Sequence, residues 1–396
     1  MVSKRRRKDG TYHYQGPTHI IGMFWANSML RGTSDSVAKG CTSERRREVK
    51  PTITRRNFLH RTSLGFGLSV LVSAAKGSAA NQGVKPRPRG KRLPREIWVA
   101  TISQNRMETK DYEQMIRKML NRMEKVVPYQ PDIICLPEVF PFANLSSGRP
   151  KVSEVAEVPI GDISRPFAEF ARKNNCYVVC PIYTKEDGCY YNAAVLIDNL
   201  GRLLGEYRKI HPTVGEIDNG VTPGPVQPPV FKTAFGVIGV QICFDIEWDD
   251  GWQNLRKAGA DIVFWPSAFA GGSAVNAKAW QNKYVVVSST RKDTSKICDI
   301  SGEEIASTGR WNDWVCAPVN LEKAFLHTWP FCRRFQEVEA KYGRRIRIKT
   351  FHEEEWTIVE SRSPEVKVDE VLKEFEFQTH EELIQAADKR QRKARL

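Results

Sequence analysis

Phe235-Gly236-Val237-Ile238-Gly239-Val240-Gln241-Ile242-Cys243-Phe244-Asp245 ends a run rich in β-branched residues on a cysteine, then passes at once to an acidic residue and a turn-prone cluster. The pattern reads as a strand that delivers a thiol to its C-terminal end. In open α/β sheets ligands sit at the carboxyl ends of strands, so a thiol there can meet a substrate. The competing reading is a small buried hydrophobe, the commoner use of cysteine.

Two other candidate strands end on polar residues. Residues 133–136 read as a buried strand that closes on Pro137-Glu138, where a glutamate either emerges into solvent or has a buried partner to offset its desolvation. Residues 201–212 read as a strand closing on Arg208-Lys209 before Pro212, with Glu216 following in a Gly/Pro-rich loop. A lysine ammonium is compact and tunable, so it can serve one developing charge, although a surface lysine is the default.

Around these, residues 97–102 read as a buried strand and residues 111–127 as a helix with Met115, Met119, Leu120, Met123 and Val127 on one face. Residues 163–174 give a second amphipathic helix. Residues 177–182 and 193–198 form strands joined by a hairpin-like turn at Asp187-Gly188. Beyond Cys243 come a helix over 251–258, a strand over 261–264, a helix over 278–284 and a strand over 285–289. The alternation predicts one α/β domain of stacked layers over residues 93–330.

The formal charge of +15 invites a nucleic-acid partner, but it is unevenly placed. Residues 1–95 hold 21 Lys and Arg against 4 Asp and Glu, a net of +17, which leaves 40 against 42, or −2, for residues 96–396. A body without a basic face argues against nucleic-acid binding. The nine cysteines show no paired spacing and the seven histidines are scattered, so neither a disulfide framework nor a metal site is indicated.

Residues 1–50 read as a basic, disordered extension. In residues 51–80, Arg55-Arg56-Asn57-Phe58-Leu59 precedes a short apolar run and Ser78-Ala79-Ala80. A basic region, a brief apolar core and a small-residue end resemble a twin-arginine signal, which implies export to a bacterial periplasm and no stable membrane anchor after cleavage. The long stretch before the arginine pair points to Met23 or Met29 as alternative starts. Residues 81–92 form a Pro/Arg/Lys-rich linker.

Three strand ends offer a carboxylate, an amine and a thiol in the order Glu138, Lys209, Cys243. With the flanks Leu136-Pro137-Glu138, Tyr207-Arg208-Lys209-Ile210-His211 and residues 236–243, that order resembles the nitrilase superfamily of carbon-nitrogen hydrolases. Tyr191-Asn192-Ala193-Ala194, Gly201, Pro223-Gly224 and Pro266-Ser267-Ala268-Phe269 add to the likeness over residues 96–320. The resemblance implies a four-layer αββα sandwich, pairing into homodimers or higher homo-oligomers, and no metal or other cofactor. It makes Cys243 the nucleophile, Glu138 its base, and Lys209 with the backbone N–H of Phe244 the partners of the oxyanion. Glu216 resembles the family's second glutamate, which positions substrate and aids proton transfer.

True nitrilases commonly follow the nucleophile with Trp-Glu; Cys243-Phe244-Asp245 looks more like the amidase and carbamoylase branches. Phe244, Asp245 and Trp248 are then candidates for binding substrate, and Glu247 and Asp249 are either receivers of a cationic group or solvated loop carboxylates. The expected activity is hydrolysis of a small linear amide or N-carbamoyl compound. A nitrile-cleaving relative and an inactive scaffold of the same fold are the alternatives. Residues 331–396 read as a charged extension, and such a tail resembles the extensions that relatives use across subunit contacts. Within it, residues 366–377 are an edge strand or extended arm, and a helix is capped at Thr379.

Overall fold

In the computed structural model, which describes residues 93–396, the two faces of each central strand go to different cores. Ile97, Val99, Ile133, Cys135, Val179 and Leu196 meet Ile238, Val240, Ile262, Phe264, Val285 and Val287 in one cluster. Their alternates Ala100, Ile102, Ile134, Val178, Val195 and Ile197 join a second cluster with Met115, Met119, Phe167 and Phe170. Val263, Trp265 and Val286 join a third with Trp252, Leu255, Val275 and Ala279. Period-two strands with both faces apolar need cover on both sides, and two sheets face to face with helices outside supply it. Each Val, Leu, Ile, Met or Phe side chain among them removed from water contributes about 1.5–3 kcal/mol.

The first sheet carries, in spatial order, Trp314–Asn320, Glu96–Ile102, Ile133–Cys135, Tyr177–Glu186, Cys189–Ile197 and Leu203–Arg208. The second carries Glu304–Ser307, Lys296–Cys298, Val285–Thr290, Ile262–Ser267, Val237–Val240 and Phe231–Lys232. Glu96–Ile102, Ile133–Cys135 and Tyr177–Glu186 run parallel, as do Val237–Val240, Ile262–Ser267 and Val285–Thr290. Helices Tyr112–Met123 and Arg165–Asn174 cover the first sheet, and Asp250–Lys257 and Ser273–Asn282 cover the second. The αββα sandwich expected from the sequence is therefore the architecture observed.

The first helix is shorter than its apolar period suggested. Asp111 caps it by accepting from the Gln114 N–H at 2.9 Å, and it ends at Met123. Val127 belongs to a separate 3₁₀ turn, Val127–Tyr129, that carries Pro128 in its first turn.

A third, antiparallel sheet orders Lys323–His327, Trp356–Ser361 and Ile346–Phe351. The expected boundary at residue 330 thus falls between strands of one sheet. The expected edge strand over 366–377 is instead the helix Val368–Glu374. Val368, Val371 and Leu372 share one helical face and join Leu326, Val338 and Val359 in a fourth cluster, a tertiary contact that overrides the β-branched content of the segment. Thr379 caps the following helix His380–Ala394 as expected: its hydroxyl accepts from the Glu382 N–H at 3.2 Å, and the Glu382 carboxylate accepts from the Thr379 N–H at 2.8 Å.

The expected extension over 1–50, twin-arginine signal and linker lie outside the described residues. Among the described residues no helix is long and apolar enough to cross a membrane, and no group of three His, Cys, Asp or Glu could hold a metal ion.

Candidate active site

Glu138 follows the parallel strand Ile133–Cys135 of the first sheet, and Lys209 follows Leu203–Arg208 of the same sheet. The thiol comes from the second sheet. Its strand ends earlier than the sequence suggested, at Val240, and Cys243 opens a 3₁₀ turn over Cys243–Glu247. Cys243 has φ 47°, a left-handed conformation that costs a non-glycine residue on the order of 1–2 kcal/mol. Buried indoles fix the turn: Trp265 Nε1 donates to the Cys243 carbonyl and Trp252 Nε1 to the Asp245 carbonyl, each at 3.0 Å. Phe244 is the second residue of this turn.

Lys209 Nζ donates to Glu138 Oε1 at 2.9 Å and to Glu216 Oε2 at 2.7 Å. Glu216 reaches that position from the short helix Val214–Asp218, where it also accepts from the Thr213 N–H at 2.8 Å. Lys209 and Glu138 are 1% and 2% exposed, so this ion pair lies in low dielectric and holds only because each charge is met.

The structure adds two residues that the sequence did not single out. Asn192 Nδ2 donates to Glu138 Oε1 at 2.9 Å and to Glu216 Oε1 at 2.7 Å, which makes a second bridge alongside Lys209. Arg291 Nη2 donates to Glu138 Oε2 at 3.2 Å. Asn192 had carried family likeness without a role. Arg291 directly follows the strand Val285–Thr290, the same position at a strand end that drew attention to Glu138, so that signal was present.

Burial alone would raise the Glu138 pKa, but the charges of Lys209 and Arg291 and the hydrogen bonds from Lys209 and Asn192 outweigh it and hold the carboxyl at about 2. Burial also opposes the charge of Lys209, yet the Glu138, Cys243 and Glu216 side chains keep its pKa above the ordinary lysine value. The Cys243 thiol is pushed up to about 12, first by burial and then by the Glu138 charge, against the pull of Lys209. Glu138 therefore rests ionised, Lys209 protonated and the Cys243 thiol neutral.

The residues beyond the thiol divide. Phe244 meets the Trp248 ring edge-on at 5.0 Å, and Trp248 lies flat on His211 at 4.1 Å, 39% exposed, forming an aromatic face. Asp245 is not a substrate-facing group. It is fully buried, and its carboxylate accepts from the Tyr207 hydroxyl at 2.7 Å, from the Ile242 N–H at 2.8 Å and from the His211 N–H at 2.8 Å. The 3₁₀ turn directs its third residue back under the strand, which is why a neighbour of Cys243 in sequence becomes a clamp in space. Asp249 pairs with Lys278. A cavity of about 770 Å³ opens against Glu216, with Thr213, Tyr183 and Arg149 among its walls. It meets the cluster from the Glu216 side, and Cys243 is not part of its lining.

Residues 99–324 match the family model for carbon-nitrogen hydrolase. β-Ureidopropionase of Arabidopsis thaliana is 36% identical over 148 residues, 35% of this chain and 36% of that protein. A nitrilase of Pyrococcus abyssi is 31% identical over 163 residues, 40% of this chain and 62% of that protein. The chain thus spans between about a third and three fifths of the length of these relatives. Among solved structures, an amidase from Nesterenkonia sp. shares the fold with a TM-score of 0.51 and 17% identity, over 58% of this chain and 92% of that one. The family match takes in more than half of the chain and both facing sheets, so the protein belongs to the carbon-nitrogen hydrolase family of nitrilase-superfamily enzymes.

Proposed function

We propose that the protein hydrolyses a non-peptide C–N bond in a linear amide or N-carbamoyl compound through an acyl-thioester on Cys243, releasing ammonia or an amine. The observation that carries this reading is the buried Lys209 ammonium bonded to both Glu138 and Glu216, with the Cys243 thiol in the field of Glu138 and Lys209. β-Ureidopropionase and the Nesterenkonia amidase, as relatives, favour amides and carbamoyl compounds over a scaffold role.

Moving a proton from a thiol at about 12 to a carboxylate at about 2 is uphill by itself, so the reaction does not begin from a stored thiolate. Instead Glu138 takes the proton as sulfur bonds to the substrate carbon, which is general-base catalysis of nucleophilic attack. The carbonyl oxygen gains the negative charge and faces Lys209 and the Phe244 N–H. Collapse breaks the C–N bond, and protonated Glu138 hands its proton to the leaving nitrogen. Water then attacks the thioester with Glu138 again as base, and the acid leaves with the thiol restored. Glu216 and Asn192 hold Lys209 and Glu138 in register throughout.

Purified protein offered a panel of amides, N-carbamoyl compounds and nitriles is expected to release ammonia from one of the first two classes. Its intact mass should show the acyl adduct on Cys243. Cys243→Ala should lower kcat/KM by at least about 10³-fold. If the wild type forms no adduct and releases ammonia no faster than Cys243→Ala, the proposal is wrong, and turnover of nitriles alone would move it to the nitrile branch.

A further inference from the structure

We propose that Arg291 is a positioning residue: its guanidinium fixes Oε2 of Glu138 and keeps that carboxylate ionised, so that it can receive the Cys243 proton. The inference rests on the hydrolase reading above and adds a residue to it.

Consider the cluster without Arg291. Among the described residues Lys209 would then be the one cation hydrogen-bonded to Glu138 and Glu216, with Arg149 no nearer than the wall of the adjoining cavity, and Asn192, which donates to both, carries no charge. Two carboxylates that share one cation in a buried site repel, and one of them gains a proton at higher pH. Glu138 is the more enclosed, with side-chain exposure of 3% against 12% for Glu216, so the desolvation penalty falls on it. Tyr183 also lies in the field of both carboxylates but is neutral, and the neutral Cys243 thiol adds nothing cationic. A protonated Glu138 has no capacity to accept the thiol proton, and the first step stops.

Arg291 supplies the missing charge, and the fold holds it there. It follows the strand Val285–Thr290, and its own N–H bonds to the Ser267 carbonyl at 2.9 Å, continuing the ladder to the neighbouring strand. With Oε1 occupied by Lys209 and Asn192, Arg291 on Oε2 leaves Glu138 held at both oxygens. The Arg291 side chain is 21% exposed, so its charge is partly screened and still acts at 3.2 Å.

The test is the pH dependence of kcat/KM for ammonia release from the best amide of the panel, in wild type, Arg291→Gln and Arg291→Lys. An infrared titration of the protonated-carboxyl band absent from Glu138→Gln runs alongside. Wild type should keep its acid limb below pH 4. An opposite charge at this range moves a carboxyl by about one to three pH units, so Arg291→Gln should bring the limb, and the infrared midpoint, up by at least about one unit. Arg291→Lys should stay within about half a unit of wild type. A folded Arg291→Gln whose limb and infrared midpoint match wild type overturns the proposal, even if its rate falls uniformly at every pH. Equal ammonia release by wild type and Cys243→Ala would sink the hydrolase reading instead, while the infrared titration still judges Arg291.

Discussion

Glu138, the proposed base, also governs stability. Its folded pKa, about 2, is below the ordinary 4.5, so its contribution to stability is fully present above about pH 4.5 and is lost as pH falls towards 2. A depression of that size is worth on the order of 3 kcal/mol at neutral pH, of which about 2 kcal/mol should be gone by pH 3. Urea unfolding of wild type and Glu138→Gln at pH 7, 5, 4 and 3 measures this. Wild type should lose that much more than the variant between pH 5 and 3, and parallel curves would mean that Glu138 is not the group holding the linkage.

At the scale of the element, the turn Cys243–Glu247 is held from beneath by Asp245, and this separates two uses of that carboxylate. Asp245→Ala leaves the Tyr207 hydroxyl and the Ile242 and His211 N–H groups without their acceptor in the interior. The expected cost is about 2–4 kcal/mol in thermal or urea unfolding, with kcat reduced on every substrate turned over and little change in KM. A substrate-binding Asp245 would do the reverse, raising KM for some substrates with unfolding unchanged. The same element shows what the sequence could reveal. The strand ends that carry Glu138, Lys209 and Cys243 were legible as a signal local to the chain, but their grouping into one expected site came from the likeness of their order and flanks to the nitrilase superfamily. Asp245 was misassigned because adjacency in sequence says nothing about the direction in which a 3₁₀ turn points a side chain. Asn192 and Arg291 went unassigned because their meaning lies in partners 54 and 153 residues away: Asn192 meets Glu138 across the first sheet, and Arg291 reaches it from the second.

At the scale of the whole molecule, the segment after residue 330 is divided by its packing. Helix Val368–Glu374 places Val368, Val371 and Leu372 in a cluster with Leu326, Val359, Phe375 and Phe377, on the sheet that includes Lys323–His327. Helix His380–Ala394 has no buried residue. Its first residues touch the body through Arg256 with Glu381 and through the His380 ring, which lies 5.7 Å from Phe325. The two halves of the segment should therefore respond differently to removal. Deleting residues 379–396 costs a half-exposed ion pair and an aromatic contact, on the order of 1–2 kcal/mol, and should leave a folded protein with its activity intact. Deleting residues 364–396 also strips the apolar cover from the third sheet. At about 1.5–3 kcal/mol for each of the six large side chains lost from that cluster, Val366, Val368, Val371, Leu372, Phe375 and Phe377, the lost burial is about 9–18 kcal/mol, the same size as the roughly 5–15 kcal/mol by which domains are stable, so this variant should aggregate or unfold. Thermal unfolding and sedimentation of the two truncations distinguish this from a purely intersubunit role. In that case the longer deletion would stay folded and only its sedimentation mass would fall, because the cluster would be serving a neighbouring subunit and not its own sheet.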